Sequence, residues 1–292
     1  MNNQAPSLMP NGYILREAGD RIMAVKADLE AEMLPLMRVP FDDLSAGADA
    51  VGVQSGRAGP VHLPIPRSSR RVFVRPYARG GLLAGERDRN FANPDRAFAE
   101  LMVSHTATTL HLPVPELVGV TAQPTAQGQW RMEAWSWWIP DAMTLSRCLA
   151  SLTDPNEKKH LLQVVAAALR QCHAAGLKHA DLNSHNIIAE RIPGGWRATV
   201  IDLDKASLGP GLGAGEQDAQ LSRLYRSLAK EGVIPLFLSP AEFSAGLVRP
   251  YHEGGITDAL LASFMNRCRR AVFWHSLSWK IQALRRRFHR RS

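Results

Sequence analysis

The chain has 292 residues, of which 45% are hydrophobic and 21% charged, so it can bury a large core in one bilobal unit or in two domains. No run approaches eighteen uninterrupted apolar residues, and the N-terminus lacks the basic and apolar regions of a secretory signal, so we expect neither a transmembrane helix nor a signal peptide. The three cysteines are odd in number and form no C-x-x-C pair, which argues against a disulfide framework and favours a reducing compartment.

The basic residues are concentrated near the C-terminal end. The formal net charge is +8, but residues 266–292 carry nine Lys or Arg and no acid, which leaves −1 for residues 1–265. A nearly neutral body disfavours nucleic-acid binding by that part of the chain, and we expect no nucleic-acid partner.

The first half of the chain is predicted to be rich in strands, with one main helix. A glycine-containing stretch at 51–66 opens it. The elements that follow are a strand at 71–77, a helix at 94–109 with Asn93 as its N-cap, a strand region from Leu117 and a strand over 130–139. We assign residues 1–134 to an N-terminal lobe.

The second half is predicted to be mostly helical. A long apolar helix over 155–175 ends at Gly176, and helices follow beyond Gly215. Between them, two short strands are joined through Pro-Gly-Gly at 193–195, which indicates a hairpin. Residues 135–265 are assigned to a C-terminal lobe, so the expected fold is α+β and bilobal.

Two polar segments of this half indicate phosphoryl transfer. Residues 179–186 read His-Ala-Asp-Leu-Asn-Ser-His-Asn, and Ile-Asp-Leu-Asp follows at 201–204. The first segment fits the kinase catalytic-loop pattern H-R-D-x-x-x-x-N at its anchor positions. We predict that Asp181 is the catalytic base and that Asn186 and Asp202 bind Mg²⁺, because few, hard oxygen ligands suit that ion. The alternative is that the three residues serve a turn, a cap and a strand end.

The phosphate-binding residues are expected upstream, so residues 1–134 are assigned as the nucleotide-binding lobe and residues 135–265 as the catalytic lobe. Gly56, Arg57 and Gly59 lie where a glycine loop would cover the phosphates of a nucleotide, although the segment does not match G-x-G-x-x-G and a plain turn is the alternative. Arg75 stands where V-A-I-K has its lysine, and Glu100 is its predicted partner. An arginine would bind phosphate as a bidentate fork rather than as a point charge. Two unrelated surface charges are the alternative.

Together these residues resemble the lipopolysaccharide core kinases, in particular the kinases of 3-deoxy-D-manno-octulosonic acid (Kdo). The likeness covers roughly residues 50–250. It rests on the segments 74–82, 96–100, 112–115, 179–187, 201–205 and 221–230.

The resemblance implies a protein-kinase-like fold and transfer of the γ-phosphate of ATP, with Mg²⁺, to the 4-hydroxyl of Kdo on a lipid A precursor. It also implies a peripheral location on the cytoplasmic side of the bacterial inner membrane, and it carries the role of base to Asp181. Asp204 lies where protein kinases have the glycine of D-F-G, and no A-P-E motif follows, so regulation by an activation loop is not expected.

Residues 266–292 are predicted to form a basic amphipathic helix. Five apolar residues recur at intervals of four and three and would line one face: Phe273, Leu277, Ile281, Leu284 and Phe288. Such a helix can lie on an anionic membrane surface, close to a glycolipid acceptor. The alternative is a helix packed on the body with solvated arginines.

Two other functions fit part of the pattern. An aminoglycoside- or choline-type small-molecule kinase shares the same loop, but a soluble acceptor would need neither the basic tail nor the basic stripe formed by Arg223, Arg226 and Lys230. A non-catalytic pseudokinase scaffold would explain the missing lysine, but not the retention of all three predicted catalytic and metal-binding residues.

Overall fold

The structure is a computed structural model that describes residues 9–46, 49–50, 59–66, 68–78 and 89–289, with backbone alone at 49–50 and 275–289. The chain divides into two units. Unit 1 comprises Met1–Ile139 and Leu203–Ala206, and unit 2 comprises Pro140–Asp202 and Ser207–Ser292.

Unit 1 is built on an antiparallel sheet which, in the described residues, has seven strands in the order β1-β2-β6-β7-β5-β4-β3. The strands are β1 (Tyr13–Ala18), β2 (Arg21–Lys26), β3 (Asp49–Ala50), β4 (Val61–Pro64), β5 (Arg71–Pro76), β6 (Leu117–Pro124) and β7 (Trp130–Trp137). The helices are α1 (Glu30–Met37), α2 (Phe41–Ala46) and α3 (Asp95–Thr109).

Different helices bury the two faces of this sheet, because successive strand residues point to opposite sides. Trp135 of β7 belongs to a core cluster that contains Met33 of α1, whereas its neighbour Ala134 belongs to a second cluster with Phe98 and Leu101 of α3. Each fully buried large side chain contributes about 1.5–3 kcal/mol to folding. Strand β5, which carries Arg75, pairs with β7 and contributes Val72 and Val74 to the first of these clusters.

The predicted elements of the first half are present, with one correction. The prediction of Asn93 as the N-cap is wrong: α3 begins at Asp95, and its N-cap residue is Pro94, without a side-chain capping hydrogen bond. The hairpin of β1 and β2 and the helices α1 and α2 were not predicted. Helix α1 contains Pro35, and proline is a strong signal against a helix interior.

Unit 2 is mostly helical. Its helices are α4 (Leu145–Ser151), α5 (Pro155–Ala174), α6 (Ala214–Lys230), α7 (Val233–Leu236), α8 (Pro240–Phe243), α9 (Arg249–Tyr251) and α10 (Asp258–His289). Its strands are β8 (Met143–Thr144), β9 (Leu177–Lys178), β10 (Ile187–Ile192), β11 (Gly195–Val200) and β12 (Ser207–Leu208). Strand β10 pairs antiparallel with β8 and β11, and β9 pairs antiparallel with β12.

Helix α5 ends just before the polar loop at 179–186. It starts at Pro155, where the side chain of Asp154 caps the N–H of Asn156. Its end is marked by Gly176 at φ +82°, and a β-carbon at that position would lie 1.9 Å from the carbonyl oxygen of Gly209. Only glycine fits there, so the turn into β9 and the loop is fixed.

The hairpin of β10 and β11 returns the chain to the end of the polar loop. Gly194 and Gly195 both have positive φ in the turn, and Ile187 of β10 pairs with Val200 of β11. The antiparallel register therefore brings the residue before β10 beside the residue after β11. These are Asn186 and Ile201.

Helix α10 starts eight residues before the predicted basic segment. Its first turns are anchored in unit 2 by buried side chains: Leu261, Phe264, Met265 and Cys268. Further along, Phe273 and Trp274 are 65% and 67% exposed. Within the described residues, no helix contains a stretch sufficiently long and apolar to cross a membrane.

Candidate active site

His179 connects the polar loop of unit 2 to the strand end that precedes Asp202. Its Nδ1 accepts a hydrogen bond from the N–H of Asp181 at 3.1 Å, and its Nε2 lies 3.0 Å from the carbonyl oxygen of Ile201. Since Nδ1 is the acceptor, Nε2 carries the proton and donates it to that carbonyl. The buried imidazole thus fixes the backbone beside Asp181 and beside Asp202 at once.

The carboxylate of Asp181 is oriented by Asn183. The Nδ2 group of Asn183 donates to the carbonyl oxygen and to Oδ2 of Asp181, both at 3.1 Å. Its Oδ1 accepts from the N–H groups of His185, at 2.8 Å, and Asn186, at 3.2 Å. Asp181 is exposed, so its held carboxylate is accessible to a substrate.

Asn186 and Asp202 supply the oxygen atoms that a divalent metal would need. Nδ2 of Asn186 donates to the carbonyl oxygen of Asp181 at 2.9 Å, so its Oδ1 points to the opposite side of the amide. The N–H of Ile201 donates to the carbonyl oxygen of Asn186 at 2.9 Å. Asp202 follows with φ +63°, a left-handed conformation that costs a non-glycine residue energy and is enriched at functional sites.

This donor set fits Mg²⁺ rather than a soft metal. It offers one amide and one carboxylate oxygen, and Mg²⁺ is commonly held by one or two carboxylates together with phosphate and water oxygens. No group of three or more His, Cys, Asp or Glu that could hold a metal occurs in the described part of the chain. An ion held by these two side chains would complete its coordination with phosphate and water oxygens.

Two side chains of helix α6 form hydrogen bonds with the polar loop. Ser227 accepts a hydrogen bond from the N–H of Ser184 at 3.0 Å, and the two hydroxyls lie 2.9 Å apart. One turn earlier, Nη1 of Arg223 donates to the carbonyl oxygen of Ala180 at 2.5 Å. The residue on the N-terminal side of Asp181 is thus bound to an arginine that does not belong to the loop.

In unit 1, Arg75 of β5 and Glu100 of α3 form the ion pair expected from the sequence. Nη2 of Arg75 lies 2.7 and 2.8 Å from the two oxygens of Glu100, which is 4% exposed. The hydroxyl of the buried Tyr77 also donates to Glu100. Burial, with the charge of Glu100, raises the pKa of Tyr77 well above its usual value, so its hydroxyl stays protonated and donating.

A second ion pair of unit 1 joins Arg96, in the first turn of α3, to Asp204. Both side chains are mostly buried, and the guanidinium of Arg96 also lies 4.9 Å from the ring centroid of Phe91. Burial tends to lower the pKa of Arg96, but the hydrogen bond and charge of Asp204 outweigh it and raise that pKa. The ion pair thus attaches Asp204, two residues after Asp202, to helix α3, which also carries Glu100.

The predicted glycine loop lies only partly within the described residues. Gly56 and Arg57 fall outside them, and Gly59 is described as half-buried and without regular structure. Strand β4 begins two residues after Gly59, and its first residue, Val61, pairs with Val74 of β5. The described end of the segment thus lies one strand away from the residue before Arg75.

The sequence model of the lipopolysaccharide kinase (Kdo/WaaP) family matches residues 67–241, which is more than half of the chain. The chain belongs to this family. The matched span includes Arg75, Glu100 and the whole polar loop with Asp202.

Curated relatives of the family carry the name 3-deoxy-D-manno-octulosonic acid kinase. The one from Mannheimia succiniciproducens is 29% identical over 162 residues, covering 54% of this chain and 65% of the relative. One from Haemophilus influenzae (strain PittEE) is 30% identical over 186 residues, covering 62% and 75%. The chain thus matches less than two thirds of the length of the Mannheimia relative.

A solved structure of WaaP in complex with acyl carrier protein is similar in fold. Its TM-score is 0.54 at 16% identity, and the alignment covers 86% of this chain and 99% of that one. With the antiparallel sheet of unit 1 and the helices of unit 2, this likeness confirms the predicted α+β, kinase-like fold class.

The structure adds residues that sequence reasoning did not assign to the site. In unit 2 these are His179, Asn183, Ser227 and the contact of Arg223 with Ala180. In unit 1 they are Tyr77, Arg96 and Asp204. Arg96 and Asp204 both stand inside segments that carry the family resemblance, and this was the available signal for their pairing.

Proposed function

We propose that the protein is an ATP-dependent kinase that phosphorylates a hydroxyl group of Kdo, the 4-hydroxyl on a Kdo–lipid A precursor, in lipopolysaccharide core synthesis. The observation that carries the proposal is the hydrogen-bonded loop that holds Asp181 beside Asn186 and ties both to the chain before Asp202. The family membership and the names of the relatives support the acceptor.

In this mechanism Asp181 orients the acceptor hydroxyl and accepts its proton. The hydroxyl oxygen forms a bond to the γ-phosphorus as the bond from that phosphorus to the bridging oxygen breaks, so ADP and a phosphomonoester leave. Asn183 holds the carboxylate of Asp181 in place during the step. His179 fixes the backbone at Asp181 and at Ile201. Asp181 then returns the proton to solvent.

The other site residues act on the nucleotide. Asn186 and Asp202 would hold Mg²⁺, and the ion would neutralise phosphate charge. Arg75 contacts the phosphates and is oriented by Glu100. In protein kinases the lysine of the V-A-I-K motif is oriented by a glutamate in the same way. Gly56, Arg57 and Gly59 contribute the loop that covers the phosphates.

We also propose that the C-terminal end of α10 binds the anionic cytoplasmic surface of the inner membrane. The side chains of Phe273 and Trp274 are both exposed, and Arg269 and Arg270 are exposed one turn earlier. Apolar aromatic groups beside arginines favour the interface of an anionic bilayer, where each basic residue adds about 1 kcal/mol. This location would place the kinase next to a glycolipid acceptor.

Truncation tests this location, and the structure decides where to cut. A deletion from residue 266 would remove the buried Cys268 and the ion pair of Arg267 with Asp218. A chain that ends at Val272 keeps both. It should lose co-sedimentation with phosphatidylglycerol vesicles while keeping its unfolding temperature, and undiminished sedimentation would reject membrane binding by this helix.

The kinase proposal is tested with radiolabelled ATP and a panel of acceptors. The panel contains Kdo–lipid A precursor, the same precursor without Kdo, an aminoglycoside and choline. We expect labelled product only with the Kdo-bearing precursor and only when Mg²⁺ is present. Label on the aminoglycoside or choline, or no transfer to any of the four, would overturn the proposed function.

A further inference from the structure

Arg223 of α6 lies against the backbone that carries the catalytic base. Its Nη1 donates to the carbonyl oxygen of Ala180 at 2.5 Å, and Ala180 directly precedes Asp181. One turn further along the helix, Ser227 binds Ser184 through two hydrogen-bond contacts. The guanidinium is therefore held at a fixed position relative to the loop that contains Asp181.

Within the part of the chain that the structure describes, Arg223 has no carboxylate partner. Five other arginines of unit 2 do have one: Arg170, Arg191, Arg197, Arg249 and Arg267. The guanidinium of Arg223 donates instead to the neutral carbonyl of Ala180. A positive charge beside the base is thus available to an anionic group.

The remaining N–H groups of Arg223 match a carboxylate. A guanidinium has five N–H donors in a planar fork, and one hydrogen bond to Ala180 leaves enough for a bidentate contact. Because the hydrogen bond to the loop already holds the side chain, less conformational entropy is lost when a second partner binds. These are the properties of a pre-positioned anion-binding residue.

We infer that Arg223 binds the carboxylate of the sugar acid whose hydroxyl is presented to Asp181. The inference rests on the proposed function, since the acceptor is there an octulosonic acid and carries its carboxylate on the same small molecule as the hydroxyl. It assigns a specificity role: Arg223 selects an acidic sugar and sets its orientation before transfer.

Two other roles for Arg223 make different predictions. A residue that only supports the loop would affect all acceptors equally. A residue that stabilises charge on the transferred phosphoryl group would lower kcat for all acceptors. A carboxylate-binding residue raises KM for acidic acceptors alone, and this difference separates the three.

The experiment uses two acceptors, the methyl glycoside of Kdo and its C1 carboxamide, with wild-type protein, Arg223→Gln and Arg223→Lys. Glutamine keeps an N–H donor but carries no charge, and its amide nitrogen ends two bonds short of the Nη1 position, so any loss of support for the loop is measured with the carboxamide. Arg223→Gln should raise KM for the acid glycoside about 10- to 100-fold, which is the usual cost of a hydrogen-bonded ionic contact, and leave KM for ATP unchanged. Arg223→Lys should recover part of the loss. With the carboxamide, wild type and Arg223→Gln should have the same KM.

Binding and a matched arginine complete the test. Titration calorimetry of the acid glycoside in an Asp181→Asn background should show the same loss of affinity for Arg223→Gln without any turnover. Arg197→Ala removes an exposed arginine on the hairpin and should change neither the KM for the acid glycoside nor the affinity for it. An equal rise in KM for the two glycosides, or an effect on kcat only, would overturn the assignment of Arg223 but not the proposed function. Wild-type protein that phosphorylates neither the glycoside nor the Kdo–lipid A precursor would overturn the proposed function and the inference with it.

Discussion

The carbonyl oxygen of Asn186 accepts a hydrogen bond of 2.9 Å from the N–H of Ile201, the residue before Asp202. This contact continues the ladder of β10 and β11, whose last pair is Ile187 with Val200. It explains why the two oxygen-bearing side chains are far apart in sequence: the intervening residues form a hairpin that returns the chain to its starting point. The two proposed metal ligands are thus held by regular backbone structure.

Replacement of His179 should damage both the fold of the loop and catalysis. His179→Ala leaves the N–H of Asp181 and the carbonyl of Ile201 without their hydrogen-bond partner, at a cost of about 1–3 kcal/mol. Urea unfolding and steady-state kinetics measure the two effects. His185→Ala serves as the control, because His185 is exposed and pairs at the surface with Glu231. Equal behaviour of the two variants would refute the connecting role of His179.

The Arg96–Asp204 pair should be strongly coupled in stability. Each side chain is less than one fifth exposed, so removing one leaves the other charge poorly solvated. We expect the double variant Arg96→Ala/Asp204→Ala to be more stable than the sum of the single losses predicts, by about 1–3 kcal/mol in a double-mutant cycle. Denaturant unfolding gives the four free energies, and additive losses would show that the pair contributes nothing.

Loss of the Asp202 carboxylate should weaken metal-dependent nucleotide binding. In Asp202→Asn the Mg²⁺ concentration for half-maximal binding of a non-hydrolysable ATP analogue should rise at least about tenfold. Asp154→Asn is the matched control, because asparagine still caps α5. Chelation of Mg²⁺ should lower binding of the ATP analogue by wild type to the amount bound by Asp202→Asn. If the variant and wild type need the same Mg²⁺ concentration for half-maximal binding, Asp202 is not a ligand.

His173 should make unit 2 sensitive to mild acid. It is 2% exposed with Nδ1 2.7 Å from the hydroxyl of Tyr251, and burial lowers the pKa of His173 from 6.5 to about 4. Between these values the unfolded chain binds one more proton than the folded chain. The contribution of neutral His173 to the free energy of unfolding is therefore fully present above pH 6.5. It is lost as the pH falls to about 4, and the loss amounts to at most about 3 kcal/mol.

The pH effect is isolated by comparison with His173→Asn. The free energy of unfolding of wild type should fall more steeply between pH 7 and pH 5 than that of the variant, since the variant has no group to protonate at this position. Parallel curves for the two proteins would show that His173 titrates normally in the folded state.

Several elements could be predicted because their signals are local. The spacing of Asp181 and Asn186, the Pro-Gly-Gly turn and the apolar pattern of α5 each lie within one short stretch, and each is found in the structure. The predicted boundaries of the three segments, at 134 and 265, stay predictions. So do the catalytic, metal-binding and phosphate-binding roles.

The unpredicted features depend on distant residues. Arg21 and Glu133 form a buried ion pair at 2.9 Å although 112 positions separate them, and nothing in either neighbourhood marks the partner. Arg223 reaches Ala180 across 43 positions in the same way. Such pairs are set by how strands and helices pack, which local composition does not encode.

Single-turnover phosphate transfer by Asp181→Asn, with ATP, Mg²⁺ and a Kdo-bearing acceptor, tests whether Asp181 is the catalytic base. Asparagine keeps the shape of the side chain and a hydrogen-bond acceptor but cannot take the proton, so the transfer rate should fall by about 10²- to 10⁴-fold while nucleotide affinity and unfolding temperature stay at wild-type values. A transfer rate equal to that of wild type would contradict the assignment of Asp181 as the base.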